Sequence, residues 1–269
     1  MMLAVLLGAA VGLILALTGA GGGMLAVPLL MFSLGLGVSE AAPVALLAVG
    51  LAAALGALMG LRFGHLRYRA AGFMALLGIA GAPLGWWLGR HAANAPLALL
   101  FSAVLVYTSW RMLRLAGRGA RHATAAPHAM PPCRIDPVAG RLRWTAACAR
   151  ALGSTGFAAG VLSSLLGVGG GFVIVPALLR VTDLDMQSIA VTSMAAIALV
   201  SLAGILVFAL AGHAMAWPVA LPFALGALLG LLIGRRIARR LPERRLQQAF
   251  GVAGLCVVLL LIGRVLGGI

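Results

Sequence analysis

The chain has 269 residues, of which 63% are hydrophobic and only 9% are charged, and its mean hydropathy is +1.12. Soluble domains carry about 25% charged residues, so the composition excludes a soluble protein and predicts an all-α polytopic membrane protein. The net charge of +15 comes from 20 basic residues, all of them arginine. These arginines lie at the ends of apolar runs, where cytoplasmic loops carry positive charge. They indicate solvated topology signals rather than a nucleic-acid surface.

The first predicted element is an apolar segment that is broken by glycines. Residues 3–17 and 24–36 form two short pieces around the sequence Gly-Ala-Gly-Gly-Gly, with a proline at position 28. A spanning helix needs roughly 17–25 residues, so the pair forms either two short crossings or a re-entrant hairpin. The start lacks the basic n-region of a signal peptide and is counted as part of the fold. Three full spans are predicted after it, at 41–61, 72–89 and 96–113.

A polar, proline-rich linker at 114–152 separates this first membrane repeat (1–113) from a second one (153–269). The linker is the most basic region and is expected in the cytoplasm. Cys133 and Cys148 lie in or near it, and Cys256 lies in an apolar run. Their spacing indicates neither a metal site nor a disulfide framework, so we expect unpaired thiols.

The second repeat copies the first. Its pieces at 153–166 and 172–181 flank Gly-Val-Gly-Gly-Gly, and its spans are predicted at 188–210, 218–234 and 246–266. Aligning 12–28 with 160–176 gives eight identities at one constant offset. When the alignment is shifted by three residues, two series of glycines also align. In each series, here called a ladder, the glycines are four residues apart, and this spacing favours close helix packing. The ladders are Gly81, Gly85 and Gly89 in the first half and Gly226, Gly230 and Gly234 in the second.

The arginine-rich loops determine the predicted topology. The loops 62–69 and 235–245 and the linker fall on one side only if each broken pair counts as two crossings or as none. This parity predicts two inverted-topology repeats, each a glycine-broken segment plus three transmembrane helices. Both termini are then outside, and the protein is a multi-pass protein of the inner (cytoplasmic) membrane.

The two glycine breaks are the predicted substrate site. Unwound backbone at membrane depth is tolerated where it lines a cavity, and uncovered N–H groups at a helix start bind anions. The alternative is that the glycines only permit close helix packing. Nearby hydroxyls either bind a substrate oxyanion or bond back to their own helix. The predicted substrate-binding residues are Gly21, Gly22, Gly23, Gly169, Gly170, Gly171, Thr18, Ser164, Thr192 and Ser193.

The remaining chemistry of the chain is sparse. None of the five acidic residues lies within a predicted span, which disfavours an intramembrane carboxylate proton relay. No nucleophile–base pairing is evident, so an enzyme is not expected. Neither a metal nor a cofactor is expected. The predicted partners are a small anionic substrate and the lipid bilayer, with the oligomeric state left undetermined.

The pattern G-x-G-G-G-x4-P, at 19–28 and again at 167–176, resembles the TauE/SafE family of membrane permeases. The resemblance covers nearly the whole chain apart from the linker. It implies a secondary carrier that moves small sulfur-containing oxyanions such as sulfite or organosulfonates. The family's A-x-G-T-S-like pattern is partly met at 190–193 (Ala-Val-Thr-Ser), whereas 42–45 reads Ala-Pro-Val-Ala, which implies an asymmetric site. The alternative function is a non-transporting membrane scaffold or assembly factor.

Overall fold

The computed structural model describes residues 1–19, 22–62, 64, 66–91, 132–134, 142–166, 170–210 and 215–238, with single positions in 103–117 and 240–259. Eight named helices are present in these ranges, and the all-α prediction is confirmed for them. In chain order they are α1 Met2–Thr18, α2 Gly22–Leu34, α3 Val38–Leu61, α4 Tyr68–His91, α5 Ala146–Leu166, α6 Gly171–Val181, α7 Met186–Leu210 and α8 Trp217–Ala238.

Within the part of the chain that the structure describes, three helical segments are long and apolar enough to cross a membrane: Glu40–Leu61, Met186–Leu210 and Trp217–Ala238. The helices Met2–Thr18 and Gly22–Leu34 are apolar but shorter. Both glycine breaks interrupt helices as predicted, between α1 and α2 and between α5 and α6. Most of the predicted spans 96–113 and 246–266 lie outside the described residues.

Helix α8 shows how the membrane fold distributes its side chains. One face buries small residues and one aromatic ring, including Ala220, Phe223 and Ala227. The opposite face leaves Leu225 and Leu229 more than half exposed. Lipid tails are as apolar as leucine, so large apolar side chains face lipid at no cost while small residues allow helices to approach.

The closest helix pairs join the two halves of the chain. Along α1 and α8, a Cβ placed on Gly226, Gly230 or Gly234 would overlap α1 at successive turns, at Val5, Ala9 and Leu13 in that order. The residue numbers rise together, so α1 and α8 run parallel. A side chain at these glycines would separate the two backbones. The packing role predicted for this ladder is therefore confirmed.

Helices α4 and α5 form a matching parallel pair. A Cβ on Gly81 would lie 2.7 Å from the carbonyl oxygen of Phe157, and one on Gly85 would overlap the carbonyl oxygen of Val161. Ala9 and Leu13 in α1 align with Phe157 and Val161 at an offset of 148 (157 − 9).

These contacts correct the predicted alignment of the two ladders. Gly230 contacts Ala9, and Gly81 contacts Phe157, the residue that aligns with Ala9. Gly81 is therefore the counterpart of Gly230, an offset of 149 (230 − 81), and not of Gly226. The three-residue shift was wrong by one helical turn. A motif that repeats every four residues looks the same after a shift of one turn, so the sequence pattern cannot fix its register.

Helices α3 and α7 pack against each other in opposite directions. Gly60 contacts Val191, Gly56 contacts Met194, and Gly50 contacts Ser201, so the numbers rise along one helix as they fall along the other. Helix α3 of the first half corresponds in sequence to helix α7 of the second half, because equivalent residues in the two halves are 148 positions apart. Two equivalent helices thus meet antiparallel.

The linker is fastened to the second half by a disulfide. Cys133 and Cys148 are bonded, with their Cα atoms 4.8 Å apart, and both are buried. The Cys133 N–H also donates to the Val181 carbonyl (3.0 Å). The expectation of unpaired thiols was wrong for these two residues, because their proximity comes from the return of the linker to the end of α6. Cys256 is free and exposed.

We expect the variant Cys133→Ser/Cys148→Ser to lose about 3 kcal/mol of stability, the chain-entropy value for closing a loop of this length; the sequence separation is 15 residues. Thermal unfolding in detergent with and without a thiol reductant measures the effect. The wild type should fall to the level of the variant on reduction, and the Cys256→Ser control should behave as wild type. An equal loss on reduction in the double variant would contradict the assignment.

Candidate functional site

The first glycine break turns the chain back on itself. Helix α1 ends at Thr18, and Gly19 follows in the left-handed conformation (φ 76°), its N–H bonded to the Leu15 carbonyl at 2.8 Å. Helix α2 begins at Gly22, where a Cβ would lie 2.5 Å from the Val11 carbonyl oxygen. Val11 lies seven residues before the end of α1, about 10 Å along the helix. Gly22 thus packs beside the middle of α1, and Gly23 is buried next to it. Gly21 lies outside the described residues.

The second break repeats this arrangement. Helix α5 ends at Leu166, and Gly170 caps the start of α6 with a left-handed conformation (φ 64°). A Cβ on Gly170 would overlap the carbonyl oxygen of Ala159. Val11 and Ala159 each lie eleven residues before the glycine that they contact (22 − 11 and 170 − 159). Gly171 is buried as the first residue of α6, and Gly169 lies outside the described residues.

Both short helices begin close to mid-height in the bundle. Gly12, next to Val11, packs on Ala227, which lies at the middle of α8. Gly160, next to Ala159, packs on Gly78, close to the middle of α4. The starts of α2 and α6 therefore lie within about one helical turn of the centre of the long helices.

One turn of α7 holds the first break in place. The single hydrogen of the Ser193 hydroxyl is shared between the Gly19 carbonyl (3.0 Å) and the Ala190 carbonyl of its own helix (2.9 Å). A Cβ on Gly19 would come within 2.7 Å of both Cα and Cβ of Ala190. The carbonyl at the end of α1 is thereby bonded, and the break is in direct contact with α7.

The other predicted hydroxyls have different surroundings. The Thr18 hydroxyl donates to the Ile14 carbonyl (2.7 Å), so it bonds back to its own helix. The Thr192 hydroxyl oxygen accepts the N–H of Arg67 (3.3 Å). Ser164 is half-buried and lies against Gly85 of α4. The structure thus brings Thr18 and Ser193 together at the first break, whereas Thr192 bonds the loop after α3 and Ser164 lies near the second break.

Two arginines reach this region that the sequence interpretation treated as solvated topology charges. Arg67 is half-buried with its Nε enclosed by protein. Arg235, also half-buried, donates from its guanidinium to the Gly56 carbonyl of α3. Arg67 does not stand out in the sequence, because arginines flank nearly every apolar run. Arg235 is marked by one signal, which is its position directly after the glycine ladder.

We expect Ser193→Ala to lower stability by about 1 kcal/mol, because the Gly19 carbonyl loses its buried partner. Ser201 in the same helix is a matched control: it is fully buried, and its hydroxyl has no partner among the described residues. Ser201→Ala removes a desolvated, unsatisfied hydroxyl and should leave stability unchanged or raise it. Thermal unfolding in detergent compares the two variants. Equal losses would show that the Ser193–Gly19 bond contributes nothing.

The described residues contain no group of three His, Cys, Asp or Glu side chains that is arranged to hold a metal ion. The polar groups that the structure describes at the first break are backbone groups and the hydroxyls of Thr18 and Ser193, and the Arg235 guanidinium bonds the neighbouring helix α3. This set suits the binding of an anion and supplies no nucleophile paired with a base. His65 and His213, which occupy matching positions in the sequence, lie outside the described residues.

Comparison with known proteins agrees with an anion-binding site of this kind. The family model described as sulfite exporter TauE/SafE matches residues 4–261. Two similar proteins from Xylella fastidiosa, strains Temecula1 / ATCC 700964 and 9a5c, are each named "Probable membrane transporter protein" and are 32% and 34% identical to the chain over 176 residues. The alignments cover 65% of the chain and 61% of each relative.

The chain thus spans about three fifths of the length of the curated relatives that it matches. No solved structure gives a significant match. The family match, by contrast, extends over both halves and both glycine breaks. The chain belongs to the sulfite exporter TauE/SafE family.

Proposed function

We propose that the protein is a secondary carrier that moves a small sulfur-containing oxyanion, sulfite or an organosulfonate, across the cytoplasmic membrane. The observation that carries the proposal is the pair of interrupted helices. Each short helix begins at glycines that pack on the preceding helix in the same way, and each begins near mid-height in the bundle. Paired broken helices at the midplane are the usual binding site of secondary transporters.

The two halves form an inverted repeat in this proposal. The antiparallel contact of α3 with α7, which are counterparts in sequence, supports it. The exchange of partners supports it as well, since α1 packs on α8 of the second half and α5 packs on α4 of the first. In such a fold, one repeat rocks against the other around a fixed site, and access alternates between the two sides.

The backbone supplies the attraction for the anion. The N–H groups of the first turn of a helix have no intrahelical partners, and the helix start carries about half a positive charge. Helices α2 and α6 both begin with glycine, which leaves these groups uncovered by side chains. Gly21–23 and Gly169–171, with Thr18, Ser164, Thr192 and Ser193, are the proposed contacts. No carboxylate is needed to hold the substrate.

The substrate class rests on the family and on this chemistry together. The sulfite exporter family indicates sulfur oxyanions, and an anion site built from backbone amides and hydroxyls fits three oxygens on one sulfur atom. Purified protein in liposomes, with labelled sulfite, an organosulfonate or sulfate, tests the proposal. Saturable flux of sulfite or the sulfonate is the expected result. Absence of flux for every anion would contradict it and favour a scaffold or assembly factor.

The proposed orientation places the arginine-rich loops and the linker in the cytoplasm and both termini outside. Arg62 and Arg67 follow α3, and Arg235 and Arg236 lie in the last turn of α8, which agrees with the positive-inside rule. The cytoplasm keeps thiols reduced, so Cys133 and Cys148 should be thiols in growing cells. Cells lysed directly into denaturant with a maleimide should have both thiols labelled, because both side chains are buried in the folded protein. A Cys133–Cys148 disulfide that protects the pair from labelling would contradict the orientation.

A further inference from the structure

The outward face of α8 is apolar over most of its length and ends in arginines. Leu225, Leu229 and Ile233 follow one another at intervals of four residues, and each is more than half exposed. Side chains three and four residues apart lie on one face of a helix. Arg236 continues this face three residues after Ile233 and is exposed, and Arg240 is exposed in the turn that follows the helix. The apolar face of α8 therefore ends in positive charge.

Helix α3 has the same arrangement. Leu51 and Leu58 are exposed and lie two turns apart on one face. Arg62 follows four residues after Leu58, at the end of the helix, and is exposed as well. After a short loop, α4 begins with the exposed residues Tyr68 and Arg69. Tyrosine is enriched at the level of the lipid headgroups, so these arginines lie where a membrane protein meets phosphate groups.

Contacts place the ends of α3 and α8 at one height in the bundle. Gly234 of α8 packs on the last turn of α1, and the break that follows α1 packs on residues 190–191 of α7, as does Gly60 of α3. About one turn earlier in both helices, Gly56 lies against Leu231, so α3 and α8 run in the same direction. The outward arginines of α8 and α3 each follow two residues after the glycine at this height. They are therefore at one end of the bundle, on neighbouring helices.

Four exposed arginines of the described part of the chain belong to this surface, which we call the arginine rim: Arg62, Arg69, Arg236 and Arg240. The described carboxylates at the same end of the bundle are those of Asp183 and Asp185, in the loop before α7. Positive charge is thus in excess. It also lies directly at the end of two faces of exposed leucine and isoleucine, which are in contact with acyl chains when the helices cross a bilayer.

We propose that the arginine rim binds the phosphate groups of anionic phospholipids, whose acyl chains lie along the outward faces of α3 and α8. A guanidinium binds two oxygens of one phosphate with parallel hydrogen bonds, and basic side chains beside a membrane attract anionic lipid. A free phosphate ion would meet the charges alone, whereas a lipid also contacts the apolar faces. The inference requires only that the chain lies in a membrane, and it is independent of the transported substrate.

Thermal unfolding in an uncharged detergent, with added dioleoylphosphatidylglycerol, tests the inference. Dioleoylphosphatidylcholine has the same acyl chains and no net charge, so it is the comparison lipid. We expect phosphatidylglycerol to raise the unfolding temperature by a few degrees more than phosphatidylcholine does, because a ligand of the folded state stabilises it. The difference should shrink as the NaCl concentration is raised, since exposed charges are screened by salt.

The variant Arg62→Gln/Arg236→Gln should need roughly 25-fold more phosphatidylglycerol for the half-maximal rise, about five-fold for each arginine. Arg62→Lys/Arg236→Lys keeps the charge without the planar fork and should lose less. Both side chains are exposed, so without lipid these variants should unfold close to the wild-type temperature. A shift in the lipid titration then reports binding and not damage to the fold.

Arg134→Gln/Arg143→Gln is the matched control. Both residues are exposed in the linker, where the Arg143 N–H donates to the Arg134 carbonyl (2.8 Å). The linker leads into the start of α5, which runs parallel to α4, so these charges lie at the same end of the bundle as the arginine rim. Neither residue continues an apolar face of α3 or α8. The control removes the same net charge and should leave the lipid titration unchanged.

Three results would overturn the inference. Equal stabilisation by the two lipids would show that the headgroup charge is not recognised. An equal loss in the rim variant and the linker variant would show that the lipid responds to net charge alone. Inorganic phosphate is the third probe, and a rise in unfolding temperature equal to that with phosphatidylglycerol would show a site for a free anion in place of a lipid surface.

Discussion

Gly12→Ala is expected to destabilise the protein, whereas Gly72→Ala is expected to stabilise it. A Cβ on Gly12 would overlap the carbonyl oxygen of Ala227 in α8, and the obstacle is backbone that cannot rotate away. A Cβ on Gly72 meets no atom within 4 Å. Forcing an extra carbon into a packed interface costs about 1–3 kcal/mol, while alanine gains about 1 kcal/mol over glycine in an open helical position.

Thermal unfolding in one detergent gives the sign of each change. A difference of 1 kcal/mol corresponds to about 2–4 °C in a protein of this size class, so the two unfolding temperatures should move in opposite directions by a few degrees. Gly160→Ala, which would overlap Gly78 of α4, repeats the experiment in the other half. A gain in stability for Gly12→Ala would show that α1 and α8 do not pack at this distance.

Gly19→Ala is expected to reduce transport at least about ten-fold. A loss of about 1.4 kcal/mol in substrate binding, caused by displacement of the binding groups, is enough for this effect. Gly19 has a left-handed backbone (φ 76°), and its Cβ would lie 2.7 Å from Cα of Ala190. The first penalty, roughly 1–2 kcal/mol, comes from the conformation alone. The second displaces the end of α1 from the α7 turn that carries Ser193. The proposed anion contacts would then lose their alignment.

Gly35→Ala separates the two penalties. Gly35 has nearly the same conformation (φ 66°), but no atom lies within 4 Å of its Cβ position. We expect this variant to lose a similar amount of backbone energy and to keep its flux. Flux is measured in proteoliposomes and normalised to correctly folded protein. Equal flux in the two variants would contradict a substrate role for the geometry of the first break.

The positions of the helix interruptions were predictable from sequence because glycine acts locally. Each glycine costs about 1 kcal/mol in a helix relative to alanine, so a cluster of them favours an interruption, and the helices end at Thr18 and Leu166 as the pattern predicts. The prolines were less informative. Pro28 and Pro176 lie inside α2 and α6, rather than in the breaks, so they do not mark the interruption itself.

The fate of each hydroxyl was not predictable, because a hydroxyl bonds whatever acceptor the fold brings near. Thr18 and Ser193 are both adjacent to the break. Thr18 donates to the Ile14 carbonyl of its own helix, whereas Ser193 bonds the Gly19 carbonyl across 174 residues of sequence. The sequence is compatible with either role for both hydroxyls, and the approach of α7 to the end of α1 distinguishes them.

Local composition determined that this chain is an all-helical membrane protein with two similar halves and two glycine breaks. Hydropathy, helix interruption and duplication depend on neighbouring residues, and these are visible in the printed chain. Tertiary structure decided the register of the glycine ladders, the Cys133–Cys148 bond, the bond of the Arg67 N–H to α7 and the bond of the Arg235 guanidinium to α3. Each depends on which backbones approach one another across long sequence separations, and a periodic motif or a common arginine does not encode that approach.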